Sequence, residues 1–205
     1  MYVSHDIGGA VYERFIRYAL SHSDAFMLVV HHVDESRRFN AKKHMAMCKE
    51  TCPEMPLTLE LVERFWTMER EDGQWNKDMQ TYIPPFIQRL EPFLIKQRHN
   101  PRWPCTTAYP PPGITYDINL YRTDPAVLPI LLSAEHYFGW RNPFLPEDLC
   151  FFRGNRCWAL GCSHEESISL FPADLDEYRA LCEMGVEFFD EPEFDDPQTL
   201  FFEEY

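Results

Sequence analysis

"CFFRGNRCWALGCSHEE", residues 150–166, holds three cysteines, one histidine and two glutamates. Its reading decides whether the chain is organised around a hairpin or around a metal knuckle. The runs "LCFFR" and "RCWALGCS" flank Gly154-Asn155. Glycine at the first central position suits a type II′ turn, and Gly-Asn also suits type I′. The pattern predicts antiparallel strands at about 149–153 and 156–162. In that register Arg153 faces Arg156, Phe152 faces Cys157 and Cys150 faces Ala159. Strand alternation places Cys150, Phe152, Cys157 and Ala159 on one face, and Phe151, Arg153, Arg156 and Trp158 on the other. Cys162 falls at the opposite parity to Cys157. The spacing C-x6-C-x4-C is not a knuckle or ribbon spacing, so Cys150 and Cys157 read as small buried thiols without zinc or a disulfide.

Outward from the hairpin, "SISLF" (167–171) adds a third strand. "PADLDEYRALCEMG" (172–185) reads as a helix, with Asp174, Asp176 and Glu177 in its first turn and Gly185 as its stop. Its expected buried stripe is Leu175, Tyr178, Leu181 and Cys182. At the other end of the chain, "VYERFIRYALSH" (11–22) puts Val11, Tyr12, Phe15, Ile16 and Ala19 on one helical face. "AFMLVVHHV" (25–33) is a buried strand. Residues 34–56 read as a polar loop with a short helical series. "TLELVERFWTMERE" (58–71) is helical, with Thr58 as N-cap and Leu61, Val62, Phe65 and Trp66 inward. "PPFIQRLEPFLIKQRH" (84–99) has helical spacing, opened by Pro84 and Pro85 and interrupted by Pro92. After a proline-rich connector, "ITYDINLYR" (114–122) alternates as a half-buried strand. "TDPAVLPILLSAEHYF" (123–138) opens as a helix, with Asp124 as N-cap and Pro125 at N1. The sum is α+β: a single domain over 1–185 with a mainly antiparallel central sheet flanked by helices, and an acidic, aromatic-rich C-terminal extension over 186–205.

The charge is unevenly placed. The 205 residues carry a net −14. Residues 165–205 hold 14 acids and one base, Arg179, a net of −13, which leaves −1 for residues 1–164. A surface of that sign repels phosphates, so direct nucleic-acid binding there is excluded. Six aromatic residues lie within 186–205, more than a purely solvating tail carries. No apolar run approaches the roughly 20 residues of a membrane span, and no secretory leader opens the chain. Seven scattered cysteines read as reduced thiols, so the expected location is cytoplasmic.

Three local patterns bear on chemistry. "CSHEE" (162–166) offers Cys162 or Ser163 as a nucleophile and His164 as its base, which suits a small hydrolase. His44, Cys48 and Cys52 recur at four-residue spacing and suit a metal-binding regulator. His31 and His32 end a strand on opposite faces, so at most one can act at a given site. No P-loop, GxGxxG, HExxH or EF-hand is present, and no cofactor is expected.

The stretch "LPEDLCFFRGNRCWALGCSHEESISLFPADLDEYRAL" (145–181), with "YERFIRYALSHSDAFMLVV" (12–30) before it, resembles a family of small bacterial proteins that carry the label stage III sporulation protein AH. The resemblance covers about half the chain. It implies an N-terminal helix and strand, a late hairpin and a closing helix. It places Asp148, Arg153, Trp158, Ser163, His164 and Glu165 in the family's recurring pattern, and it implies no particular activity.

The leading expectation is a non-catalytic cytoplasmic protein of the immunity, antitoxin or inhibitor type. Its partner would be a basic protein, such as a toxin or a nucleic-acid-handling protein. The expected contact residues are Asp190, Glu191, Glu193, Asp195 and Asp196 on the extension. Trp158, Arg153, His164 and Glu165 are expected to border a shallow recognition pocket.

Overall fold

A computed structural model of the chain describes residues 1–33, 41–51, 58–62, 73–100, 102–104, 106–107 and 114–189. Its centre is a six-stranded sheet of order β2-β5-β1-β6-β7-β8. The strands are β1 Ala25–Val33, β2 Leu94–His99, β5 Ile114–Arg122, β6 Glu147–Arg153, β7 Arg156–Cys162 and β8 Ser167–Leu170. Every neighbouring pair in it is antiparallel. Two short strands, β3 Arg102–Trp103 and β4 Thr106–Thr107, pair separately. The chain is therefore α+β with an antiparallel sheet, as its alternations predict.

One face of the sheet carries the main core. Helix α1, Gly9–Ser21, lays Tyr12, Phe15, Ile16 and Ala19 against Phe26, Leu28, Phe151 and Trp158. These apolar positions repeat at helical spacing on α1 and at strand spacing on the sheet, so both patterns are satisfied by one contact. Buried Tyr137 and Trp140, from the segment before β6, complete this layer. The second face holds Met27, Val29, Ile118, Cys150, Phe152, Cys157 and Leu160, with Trp103 packed against them. Strand β1 is buried on both sides, which is why it reads as one continuous apolar run.

The hairpin forms at Gly154, where φ is +56°, a backbone region open to glycine. Its pairing differs from the simple register. Phe152 faces Cys157 and Arg153 faces Arg156, as predicted, but Phe151 faces Ala159 and Cys150 faces Leu160. Trp158 is the extra residue of a β-bulge. The bulge resets the alternation, so Ala159 joins Trp158 on the main-core side, while Leu160 joins Cys157 on the other. Two residues beyond Leu160, Cys162 therefore shares the face of Cys157, which corrects the parity expected from unbroken alternation. Strand β6 is irregular as well: Met27 pairs with Cys150 and Val29 with Glu147, so β6 carries one residue more than β1 across that interval.

Proline accounts for the largest difference from expectation. Helix α3 runs Gly73–Leu90 and contains Pro84 and Pro85 in its interior rather than at its start. Both prolines lie exposed, where water can serve the carbonyls that lose their N–H partners. Pro92 then ends the helical path in a single 3-10 turn, Glu91–Phe93, and residues 94–99 turn into strand β2. Helix α2 spans Ala41–Thr51. Thr58 caps a helical turn as predicted, its Oγ1 accepting from the Leu61 N–H at 3.1 Å, but Leu61 is exposed while Val62 is buried. Phe65 and Trp66 lie outside the described residues. Asp124 also caps as predicted, accepting from the Ala126 N–H at 2.8 Å. Its helix is short: a 3-10 turn, Pro125–Val127, runs into α4, Leu128–Leu131. The closing helix α5, Leu175–Glu183, is capped by Asp174, which accepts from the Glu177 N–H. Its stripe is narrower than expected: Leu181 is buried, whereas Leu175 and Cys182 are exposed.

Residues 2–3 meet residues 188–189 beside β8. Tyr2 bridges Ser169, Val3 bridges Phe188, and the Phe189 N–H donates to the Tyr2 carbonyl at 3.1 Å. Val186 is buried in the main core, so residues 186–189 belong to the domain body. Residues 190–205 lie outside the described residues.

Candidate functional site

The two ends of the β6–β7 hairpin carry different clusters. At its open end, Asp148 is fully buried and adopts the left-handed conformation, φ +57°, which aspartate tolerates better than most residues. This is the irregular point of β6, and a bulge re-aims a side chain in this way. The Asp148 carboxylate accepts from the Trp103 indole N–H at Oδ2, 2.7 Å, and from the Ser163 backbone N–H at Oδ1, 2.7 Å. His164 stands on a 3-10 turn, Ser163–Glu165, that links β7 to β8. Its Nδ1 is 3.4 Å from Asp148 Oδ2.

Cys162 completes the cluster. It is 1% exposed, and its Sγ lies 3.5 Å from His164 Nε2 and 3.8 Å from Nδ1. Thr106 Oγ1 is 3.8 Å away on another side. The Asp148 carboxylate, followed by the Cys162 sulfur, raises the His164 imidazole well above its ordinary pKa. The sequence expectation that Cys162 and His164 meet is correct. Asp148, Trp103 and Thr106 come from other strands, and the spacing around "CSHEE" carries no signal for them. The only pointer was the place of Asp148 in the resemblance pattern.

The arrangement is not that of a thiol or serine nucleophile. Such a residue must be reachable and must lie in line with the base nitrogen. Cys162 and Ser163 are both buried, and Ser163 Oγ reaches only the Tyr137 carbonyl, at 3.5 Å. The Cys162 sulfur is nearly equidistant from the two ring nitrogens. An in-line bond from one nitrogen would leave the other a full ring-width further off.

A second acid adjoins this cluster. Burial opposes ionisation of Glu147, but His31, then Asn142 and the charge of His164, outweigh it and hold its carboxyl below the ordinary range. His31 Nε2 approaches Glu147 Oε2 at 2.9 Å, though not along its N–H, so the contact is close without being an aligned hydrogen bond. His32 points to the opposite face, where it meets Asp117 at 2.7 Å. The two histidines thus divide between faces as expected.

At the turn end the cluster is of another kind. Arg153 makes a two-pronged pair with Glu177, donates from Nε to the His22 carbonyl at 2.8 Å, and lies 4.2 Å from the centre of the Trp158 ring. Trp158 is 1% exposed under α1 and donates its indole N–H to Ser23 Oγ at 2.7 Å. The recognition pocket expected from Trp158, Arg153, His164 and Glu165 is therefore divided. Trp158 and Arg153 belong to the main-core face at the turn. His164 sits with Asp148 and Cys162 at the open end, and Glu165 is exposed beside it.

Of the remaining expected site residues, Asp190, Glu191, Glu193, Asp195 and Asp196 lie outside the described residues, as does Cys52. His44 and Cys48 lie on α2, and Cys48 is buried. Cys150 and Cys157 are buried and unbridged. Among the described residues no helix is long and apolar enough to cross a membrane. No family model, no curated protein and no solved structure matches this chain.

Proposed function

We propose that the chain acts by binding a protein of basic surface, in the manner of an immunity, antitoxin or inhibitor protein, with its acidic C-terminal end as the contact face. The observation that carries this reading is the charge split: −13 over residues 165–205 against −1 over residues 1–164. The described part of that end supports it. Glu165, Glu166, Asp174, Asp176, Glu183 and Glu187 are all exposed. Apolar anchors stand among them: Phe189 is 70% exposed, Tyr2 59% and Leu175 41%. Tyr2, Phe189, Phe138, His5 and Glu166 line an open groove of about 570 Å³. Aromatic anchors ringed by steering charge are what a protein interface uses.

The test is capture from host extract on the immobilised chain at low and high salt. It compares the native chain with a variant carrying D190N, E191Q, E193Q, D195N and D196N. A steered partner associates at least about tenfold more slowly at high salt. The expected result is a retained basic protein whose association loses most of its salt dependence in the variant. Equal association and equal salt dependence for the two chains would overturn the reading.

A further inference from the structure

We propose that Asp148, Cys162 and His164 form a zinc site, walled by the protein on the Asp148 and Cys162 sides and open beside His164. Carboxylate, thiolate and imidazole are the ligand types that zinc takes together. Their ligand atoms lie within 4.8 Å of one another.

The distances leave room for an ion. A charged hydrogen bond between imidazolium and carboxylate closes to about 2.7–2.9 Å, whereas His164 Nδ1 stays 3.4 Å from Asp148 Oδ2. The same nitrogen is 3.8 Å from Cys162 Sγ. Ligands set tetrahedrally at ordinary zinc bond lengths are about 3.4 Å apart for nitrogen and oxygen, and about 3.6 Å for nitrogen and sulfur. Nδ1 thus stands from both other groups at nearly the separations that a shared ion imposes. A thiolate that shared an ion with Nδ1 would stand about 5 Å from Nε2, whereas Cys162 Sγ is 3.5 Å from it, so loading the site requires the surface-facing His164 ring to turn until one nitrogen alone points between Asp148 and Cys162.

The supporting contacts fit the same reading. Ligating carboxylates are usually fixed by outer hydrogen bonds, and Asp148 is held by Trp103 and Ser163. Both bulges of the hairpin serve the cluster. The one in β7 turns Cys162 to the Asp148 side, and the irregularity in β6 puts Asp148 in reach. The His164 side chain is 34% exposed and supplies the entry path that a metal site needs. The fourth position falls to water on that open side.

The experiment uses the full chain stripped of metal by dialysis against a chelator, titrated with cobalt(II) as the probe and then with zinc. The proposal expects one cobalt per chain, a thiolate-to-cobalt band in the near ultraviolet with tetrahedral visible bands, and loss of both as zinc displaces cobalt. C162A should abolish the thiolate band. H164A, at the surface, should weaken cobalt binding at least about tenfold while circular dichroism shows the fold kept. The double variant C48A/C52A should bind as the native chain does. Absence of the thiolate band at stoichiometric cobalt overturns the proposal. So does a band that survives H164A unchanged, or one lost in C48A/C52A. If C162A does not fold, H164A alone decides.

Discussion

Each end of the β6–β7 hairpin buries a carboxylate facing a cation, and the two are built on opposite terms. At the turn, Glu177 is saturated. It accepts from both arms of Arg153, from the Ala173 N–H and from the Tyr18 hydroxyl. At the open end, Asp148 accepts two firm hydrogen bonds, and its cation stands off at 3.4 Å. A saturated, two-pronged pair locks geometry. A carboxylate held from behind, with its cation loosely in front, leaves room for something between them. The first arrangement joins α5 to the sheet, and the second is a site.

The comparison breaks most visibly at Asp148. Asp148→Ala orphans the buried Trp103 and Ser163 N–H groups, at about 1–3 kcal/mol each, and puts alanine in a left-handed conformation at about 1–2 kcal/mol. We expect a loss of about 3–5 kcal/mol in urea unfolding of the metal-free chain. A loss below about 1 kcal/mol would mean that Asp148 is not held as described.

Glu177→Ala comes next. It leaves a partly buried guanidinium without its anion and two donors unpaired, which costs about 2–4 kcal/mol. This pair also makes a pH prediction. Burial opposes ionisation of Glu177, but Arg153, the Ala173 N–H and Tyr18 outweigh it, so its carboxyl lies below the ordinary value in the folded chain. The unfolded chain then takes up the proton first as pH falls. The stabilisation is full above the unfolded pKa and is lost as pH drops through the folded one. The gap in Tm between the native chain and Glu177→Ala should therefore be wide at pH 7 and narrow in acid. A gap that is constant with pH removes the ion pair from the account.

The hairpin itself was legible in the sequence, because alternation around Gly154-Asn155 is a local signal. The site was not, because two bulges decide it. One residue inserted at Trp158 moves Cys162 to the face of Cys157, and no residue type announces such an insertion. The sequence did bring Cys162 and His164 together at i and i+2. It was silent on Trp103, which arrives from a separate two-stranded piece. The interruption expected at Pro92 is where the helix gives way to a 3-10 turn; the helical spacing beyond it carried no sign that residues 94–99 form the edge strand β2.

Gly161→Ala probes the register more gently. An added Cβ would collide with the Tyr137 ring and stand 2.9 Å from the Leu149 carbonyl. Overpacking of this kind costs about 1–3 kcal/mol. Tyr137 also donates its hydroxyl to the Leu149 carbonyl at 2.7 Å, so its ring has little freedom to retreat. A neutral Gly161→Ala in urea unfolding would show that Tyr137 does not press on β7.

The smallest effect is the most informative. His164→Gln, measured in chelator, removes a cation that is one-third exposed and stands 3.4 Å from its carboxylate. Asp148 keeps both of its buried donors. The attraction that raises the His164 imidazole is screened by solvent on its exposed side, and a loosely placed pair of this kind contributes about 0–1 kcal/mol, so the metal-free variant should unfold within about 1 kcal/mol of the native chain. If it instead loses as much as Glu177→Ala does, the open end is a structural ion pair like the turn end, and the contrast between them disappears. With zinc present the outcome should change. A ligand that binds only the folded chain adds about 2.7 kcal/mol at a hundredfold excess over its Kd. The native chain should gain that stability and His164→Gln should not. The same substitution would then be nearly silent without metal and costly with it, a difference that no saturated pair at the turn end can produce.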